Sequence, residues 1–281
     1  MTAAPSHLVG RTVIVTGAAG GFGRLVSQKA AAREAHLVCC DLDQERLDEL
    51  VGEIRDAGGS AITAVADVTD LAAMKAVVAT AVDQFGEVDV MVNNAGVMPL
   101  AFFSDHEAAA DAWSRCIDIN IKGVLNGMIA VYDQMSSQGR GHVVNVSSIY
   151  GNFPVVGAAV YGATKAAVNM MSEAFRVETQ GQIKVTIVKP TGVPGTGLGG
   201  GVINPAAITG ILGQNTAEYL GVMQALREGT AGAEALDADD PAYAALEPVY
   251  IADAILHAID QPWGVAIGDI TVRATGDRYI L

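Results

Sequence analysis

Tyr161 and Lys165 are the residues whose types and spacing best suit proton transfer. They stand four apart in Tyr161-Gly162-Ala163-Thr164-Lys165, which puts both side chains on one face of a helix. A phenol with an ordinary pKa near 10 is a poor base at neutral pH, and lowering it by ~3 units takes about 4 kcal/mol of differential stabilisation of the phenolate. A neighbouring ammonium contributes to that. Seven tyrosines and six lysines in 281 residues produce such a pair roughly 0.15 times by chance, so the pair alone is only suggestive. Ser148, thirteen residues before Tyr161, offers a hydroxyl, and strand alternation would point its neighbour Ser147 the other way. Asn120, in Asp118-Ile119-Asn120-Ile121-Lys122-Gly123, is a further polar group that also reads as a helix-interior amide.

These groups need a scaffold, and the chain supplies a regular one. Short β-branched runs recur at 12–16, 36–41, 61–66, 88–92, 142–147, 184–189 and 265–272, with apolar residues at helical spacing between most of them. Most of the runs are nearly continuously apolar, as strands covered on both faces require. The expectation is an α/β fold with a doubly wound, seven-stranded parallel sheet and helices on both faces. Segments 42–57, 71–85 and 158–180 have room for helices of about three to six turns. Residues 191–247 break the period with Gly192, Gly195, Gly197, Gly199, Gly200 and Gly201 and one short helix expected at 216–227. They read as a mobile substrate-binding lid within a single domain spanning 1–281.

The first strand runs into Thr16-Gly17-Ala18-Ala19-Gly20-Gly21-Phe22-Gly23, with a helix expected from about Arg24. Strand, glycine turn and helix stand in the order a dinucleotide site needs. Gly17 permits the tight turn, Gly21 lets backbone amides approach a pyrophosphate, and Gly23 lets helix pack on strand. The helix amino terminus then faces the phosphates. A plain tight turn is the competing reading of the glycines alone. Asp41 ends the second strand, where a carboxylate accepts hydrogen bonds from the adenosine ribose and opposes a phosphate on it. Leu42 and Asp43 follow, and the loop holds no Arg or Lys before Arg24, so NAD is expected over NADP. Asp41 also reads as a helix N-cap.

Asn93-Asn94-Ala95-Gly96 closes the fourth strand. With the glycine loop, Ser148 and the Tyr161/Lys165 pair in this order, the chain resembles the short-chain dehydrogenase/reductase family, alcohol/ketone type. The resemblance runs from Gly10 to about Pro190 and returns near the end in IGDITVRAT. It implies a Rossmann fold and an NAD-dependent alcohol dehydrogenase or ketone reductase. In that reading Tyr161 is the general acid/base, and Lys165 lowers its pKa together with the positive nicotinamide ring and binds the nicotinamide ribose. Ser148 donates to the substrate oxygen, and Asn120 holds a water for proton relay. Phe22, Leu42, Ala95 and Gly96 join Gly17, Gly21, Gly23 and Asp41 at the cofactor, with Asn94 on its adenosine side and bracing the strand end. Asp67 and Val68 match the adenine contact, although Asp67 also reads as a helix cap. The family usually shows Pro-Gly and a nearby Thr after the sixth strand. Here Pro190-Thr191-Gly192-Val193-Pro194-Gly195-Thr196 departs from that, leaving Val193 and Thr196 as alternatives for the carboxamide contact.

Met98, Tyr150 and Phe153 are expected beside Ser148 and Tyr161 at the substrate. Pro99, Phe102, Phe103, Leu198, Ile203, Ile211, Leu212, Tyr219 and Met223 either add to an apolar wall or pack the lid or a subunit interface. No Arg or Lys cluster accompanies them, so a neutral hydrophobic secondary alcohol or its ketone is the expected substrate. The resemblance also implies a homotetramer or homodimer, through helices near 113–135 and 158–180.

Thirty-one acidic against seventeen basic residues give a formal charge of −14, which repels phosphate backbones and anionic lipid, so neither nucleic acid nor a membrane surface is an expected partner. With 51% hydrophobic and 17% charged residues, the chain has ample material for a core. Cys39, Cys40 and Cys116 suit buried free thiols in the cytoplasm. The amino terminus, MTAAPSHLVGR, reads as neither signal peptide nor anchor. No run reaches the roughly 18 apolar residues of a membrane span. His7, His36, His106, His142 and His257 lack metal-ligand spacing, so no catalytic metal is expected. A Gly-x-Ser-x-Gly hydrolase elbow is absent. A catalytically silent dinucleotide-binding sensor or scaffold is the alternative from a different class.

Overall fold

A computed structural model describes residues 6–280 of the chain; the reading of the amino terminus draws on residues 1–5, which lie outside them. Seven β-branched runs become β1 (Thr12–Thr16), β2 (His36–Asp41), β3 (Ser60–Val65), β4 (Val90–Asn93), β5 (Gly141–Val146), β6 (Ile183–Pro190) and β7 (Asp269–Val272). All pair in parallel, in the order β3-β2-β1-β4-β5-β6-β7. β7 is half the expected run: a turn in which Val265 N donates to Pro262 O ends where the run begins, and pairing with β6 starts only at Asp269.

The helices are α1 (Gly21–Ala31), α2 (Gln44–Asp56), α3 (Leu71–Phe85), α4 (His106–Ile117), α5 (Val124–Gln138), α6 (Ala159–Glu178), α7 (Thr216–Glu228), α8 (Ala233–Leu236) and α9 (Pro248–Ile259). One core cluster joins Val13 and Val15 of β1 to Val26, Leu50 and Ile255 of α1, α2 and α9. The other joins Ile14 to Met74, Val131 and Val168 of α3, α5 and α6. Adjacent β1 residues thus face opposite layers, and each such fully buried side chain contributes ~1.5–3 kcal/mol. This is why the strands read as continuous apolar runs. The result is a Rossmann-type fold in a single domain.

α1 begins at Gly21, three residues before the expected start, because Gly20 is extended and supplies the N-cap without a side chain. Within residues 191–247 the chain forms tight turns at Leu198–Gly201, Pro205–Ile211 and Gly213–Asn215 before α7. Ala207, Ile211 and Leu212 are buried there against Leu100, Ile149 and Tyr161 in a third cluster. That cluster anchors the segment beside the carboxyl ends of the strands. No described helix is long and apolar enough to cross a membrane. The strand order reverses between β1 and β4, which opens a crevice at the carboxyl ends of the strands, where folds of this class bind ligands.

Candidate active site

The ends of β1, β4, β5 and β6 carry Gly17, Asn94, Ser148 and Thr191 into one cleft of about 560 Å³. Gly17 and Gly21 have φ of 66° and 50°, values that favour glycine. A Cβ on Gly23 would overlap the Gly17 carbonyl, so helix and strand approach too closely for any side chain. The Asn94 side chain holds the turn, with Nδ2 donating to Thr16 O at 2.8 Å and Gly17 O at 3.2 Å. α1 has no side-chain cap and no acidic residue in its first turn, so its first amides are unspent. Gly20, Gly21 and Phe22 at that end line the cleft.

Asp41 also lines it. Its carboxylate accepts from Ala19 N at 3.1 Å and Leu42 N at 2.7 Å, which braces the glycine turn. The N-cap of α2 is Asp43, accepting from Arg46 N at 3.1 Å, so Asp41 is not the cap. This cradle of glycines, an uncapped helix end and a carboxylate beyond it fits a dinucleotide. Thr191 Oγ1, also in the cleft, is buried without a hydrogen-bond partner among the described residues, which leaves a polar atom for a ligand to satisfy.

Several expected contacts fall elsewhere. Leu42 is 58% exposed and Phe153 55% exposed, and neither lines the cleft. Asp67 accepts from Thr69 N and Oγ1, both at 2.8 Å, while Asp70 caps α3, so Asp67 closes a turn and is not the cap. Val68 packs under Gly123, and its carbonyl accepts from Asn126 Nδ2 at 2.8 Å. Gly23 acts behind the loop. Ala95, Gly96, Met98, Pro190, Val193 and Thr196 are all at the cleft wall. Asp277 and Tyr279 are there too, and sequence reasoning missed them, as it missed Thr191. The available signal was an aromatic in the polar tail Gly276-Asp277-Arg278-Tyr279.

At the floor of the cleft, Ser148 and Tyr161 meet Lys165. Ser147 points into α6, its hydroxyl donating to Asn169 Oδ1 at 2.6 Å, and Ser148 faces the cleft. Asn120 lies beneath, in a π-helical turn over Asp118–Gly123. Its Oδ1 accepts from Val97 N and its Nδ2 donates to Val97 O, both at 2.9 Å. Nδ2 also reaches Thr164 Oγ1 at 3.2 Å. Lys165 Nζ donates to Val146 O at 2.8 Å and sits 5.8 Å from the Tyr161 ring centroid. Burial pushes Tyr161 up to about 12 against an opposing hydrogen bond with Ser148. Burial also lowers Lys165 to about 8. In the chain alone, desolvation therefore sets the phenol high, opposite to the lowering that the sequence suggested.

The signs of these shifts set a pH response. Between pH 8 and 10.5 the folded chain has lost the Lys165 proton that the unfolded chain keeps, so stability rises with pH through that window. Lys184, lowered to about 8 mainly by burial, adds to it. Between pH 10 and 12 folded Tyr161 keeps the proton that the unfolded chain loses, so its contribution falls with rising pH. Urea unfolding midpoints should climb between about pH 8 and 9, above which Cys39 and Cys40, raised by burial to about 11 and 12, oppose the rise, and Lys165→Met should flatten the climb. An unchanged climb in that variant would remove Lys165 as its source.

A family model described as short chain dehydrogenase matches residues 11–203. An uncharacterised oxidoreductase of Listeria monocytogenes is 34% identical over 269 residues, covering 96% of this chain and 98% of that protein. The closed form of a serine dehydrogenase complexed with NADP+ superposes with a TM-score of 0.74 and 28% identity, covering 93% of this chain and 94% of that one. A short chain dehydrogenase/reductase from Burkholderia phymatum in complex with NAD does so at 0.73 and 26%, covering 94% and 89%. The family match over most of the chain, together with the glycine turn and the Ser148, Tyr161 and Lys165 cluster in one crevice, shows that this chain belongs to the short chain dehydrogenase family of nicotinamide-dependent oxidoreductases.

Proposed function

We propose that the protein interconverts neutral hydrophobic secondary alcohols and their ketones with NAD(H). The observation that carries this reading is the sharing of one cleft by Ser148, Tyr161 and Lys165 with the glycine turn and Asp41. The chemistry the dinucleotide supplies when bound is hydride acceptance in oxidation and hydride donation in reduction. Tyr161 exchanges the hydroxyl proton with the substrate oxygen, and Ser148 holds that oxygen in place. Lys165, its ammonium fixed by the Val146 carbonyl, binds the nicotinamide ribose and keeps positive charge near the ring. Asn120 pins Val97 and holds a water for proton relay. A positive charge brought against Tyr161 must overcome the burial that holds it at about 12. Val193 and Thr196 remain the alternatives for the carboxamide contact.

Met98, Leu100, Ile208 and Met223 give the outer cleft an apolar lining, and Lys165 is the one basic residue among its described lining residues. That suits an uncharged substrate. Exposed Ile117, Leu125, Ile129 and Tyr132 on α4 and α5 support self-association into a dimer or tetramer. Three buried free thiols support a cytoplasmic location.

Asp41 supports NAD, since a ribose phosphate would meet a carboxylate. Turnover measured with NAD and NADP in parallel, on a panel of hydrophobic secondary alcohols and ketones, should favour NAD about tenfold in kcat/KM. Asp41→Ala should bring the two within about threefold, a loss of ~1 kcal/mol of discrimination. Equal rates in the unmodified protein would remove the NAD assignment. Silence across the panel with cofactor still bound would favour the sensor reading.

A further inference from the structure

We propose that Tyr279, from the carboxy-terminal tail, is a specificity-determining residue that selects substrates carrying a second oxygen function, such as an alicyclic diol or hydroxyketone; this rests on the alcohol/ketone reading above. The tail is tied down at successive points. Gly276 N donates to Tyr243 O at 2.8 Å, Asn215 Nδ2 to Arg278 O at 3.0 Å, and Ile280 N to Ile211 O at 3.1 Å. Arg278 also pairs with Glu218 at 2.8 Å. Tyr279 is thereby held in the cleft against the segment after β6, where its hydroxyl fills the space a Gly192 side chain would take. That overlap accounts for the glycine at 192.

Tyr279 is not alone there. Its ring lies 6.1 Å from that of Tyr219 on α7, and Tyr150 meets Tyr161 edge-on at 5.6 Å. Tyr150, Tyr219 and Tyr279 all line the cleft. Burial and mutual proximity hold Tyr150 and Tyr279 above the ordinary phenol range, so each stays a hydrogen-bond donor at physiological pH. The Tyr219 and Tyr279 hydroxyls are hydrogen-bond partners, so one proton is spent between them and the other is left to donate into the cleft. A hydrocarbon face pressed on that donor returns no bond, at a cost in affinity, whereas a second substrate oxygen accepts from it.

The test compares cyclohexanol with the three positional isomers of cyclohexanediol, using purified full-length protein and saturating cofactor. The best diol should exceed cyclohexanol about tenfold in kcat/KM. Tyr279→Phe should reduce that ratio to about one. Gly192→Ala, whose methyl displaces the tail, should reduce it similarly, and combining the two should add little. Cyclohexanol turnover without a diol preference, or a preference untouched by Tyr279→Phe, overturns the inference and leaves the alcohol/ketone reading standing. No turnover of any probe overturns both.

Discussion

Tyr161→Phe should lower kcat by roughly 10³-fold while leaving the cofactor dissociation constant within about threefold, since a positioned acid/base contributes about 10²–10⁴-fold. The substitution removes one oxygen from a ring that is otherwise packed against Leu100, Ile149 and Ile211 and edge-on to Tyr150. Packing and fold are therefore retained, and the lost group is the one hydroxyl placed beside Ser148. Absorbance of the reduced nicotinamide reports turnover, and equilibrium titration of the cofactor reports binding. Turnover within tenfold of the unmodified protein would mean that another group transfers the proton. A parallel loss of cofactor affinity would mean that the hydroxyl is structural.

Gly23→Ala should weaken cofactor binding at least tenfold and cost ~1–3 kcal/mol of stability, the range for forced overpacking. A methyl there would overlap the Gly17 carbonyl and come within 2.7 Å of Asn94 Nδ2. Both belong to the brace that shapes the glycine turn, and a backbone carbonyl cannot rotate aside as a flexible side chain would. The turn must open, which moves the uncapped amides at the start of α1. Gly52 in α2 is the internal control, because nothing lies within 4 Å of a Cβ built there. Gly52→Ala should raise stability by ~0.5–1 kcal/mol through helix propensity. Calorimetry on both variants gives opposite signs if the close approach at Gly23 is the cause. A silent Gly23→Ala would show that the turn has room to relax.

These two sites show which parts of the protein are legible from local pattern. Continuous apolar runs at regular intervals specified parallel strands, because a parallel sheet buries both faces of each strand. The glycine turn, Asp41 and the Tyr161/Lys165 spacing were also readable, since each depends on residues adjacent in the chain or one helical turn apart. The sequence by itself determined the doubly wound fold and located the glycine turn and the Tyr161/Lys165 pair that the fold brings into one cleft. Tertiary structure alone decided the environment of those groups. It buried Tyr161 until its phenol rose to about 12, drew the Asp41 carboxylate onto the Ala19 amide of the glycine turn, and left Phe153 exposed outside the cleft. It also brought Tyr279 onto Gly192, across more than 80 residues of chain. Desolvation and such distant contacts depend on what the rest of the molecule packs around a residue, and no spacing along the chain encodes that.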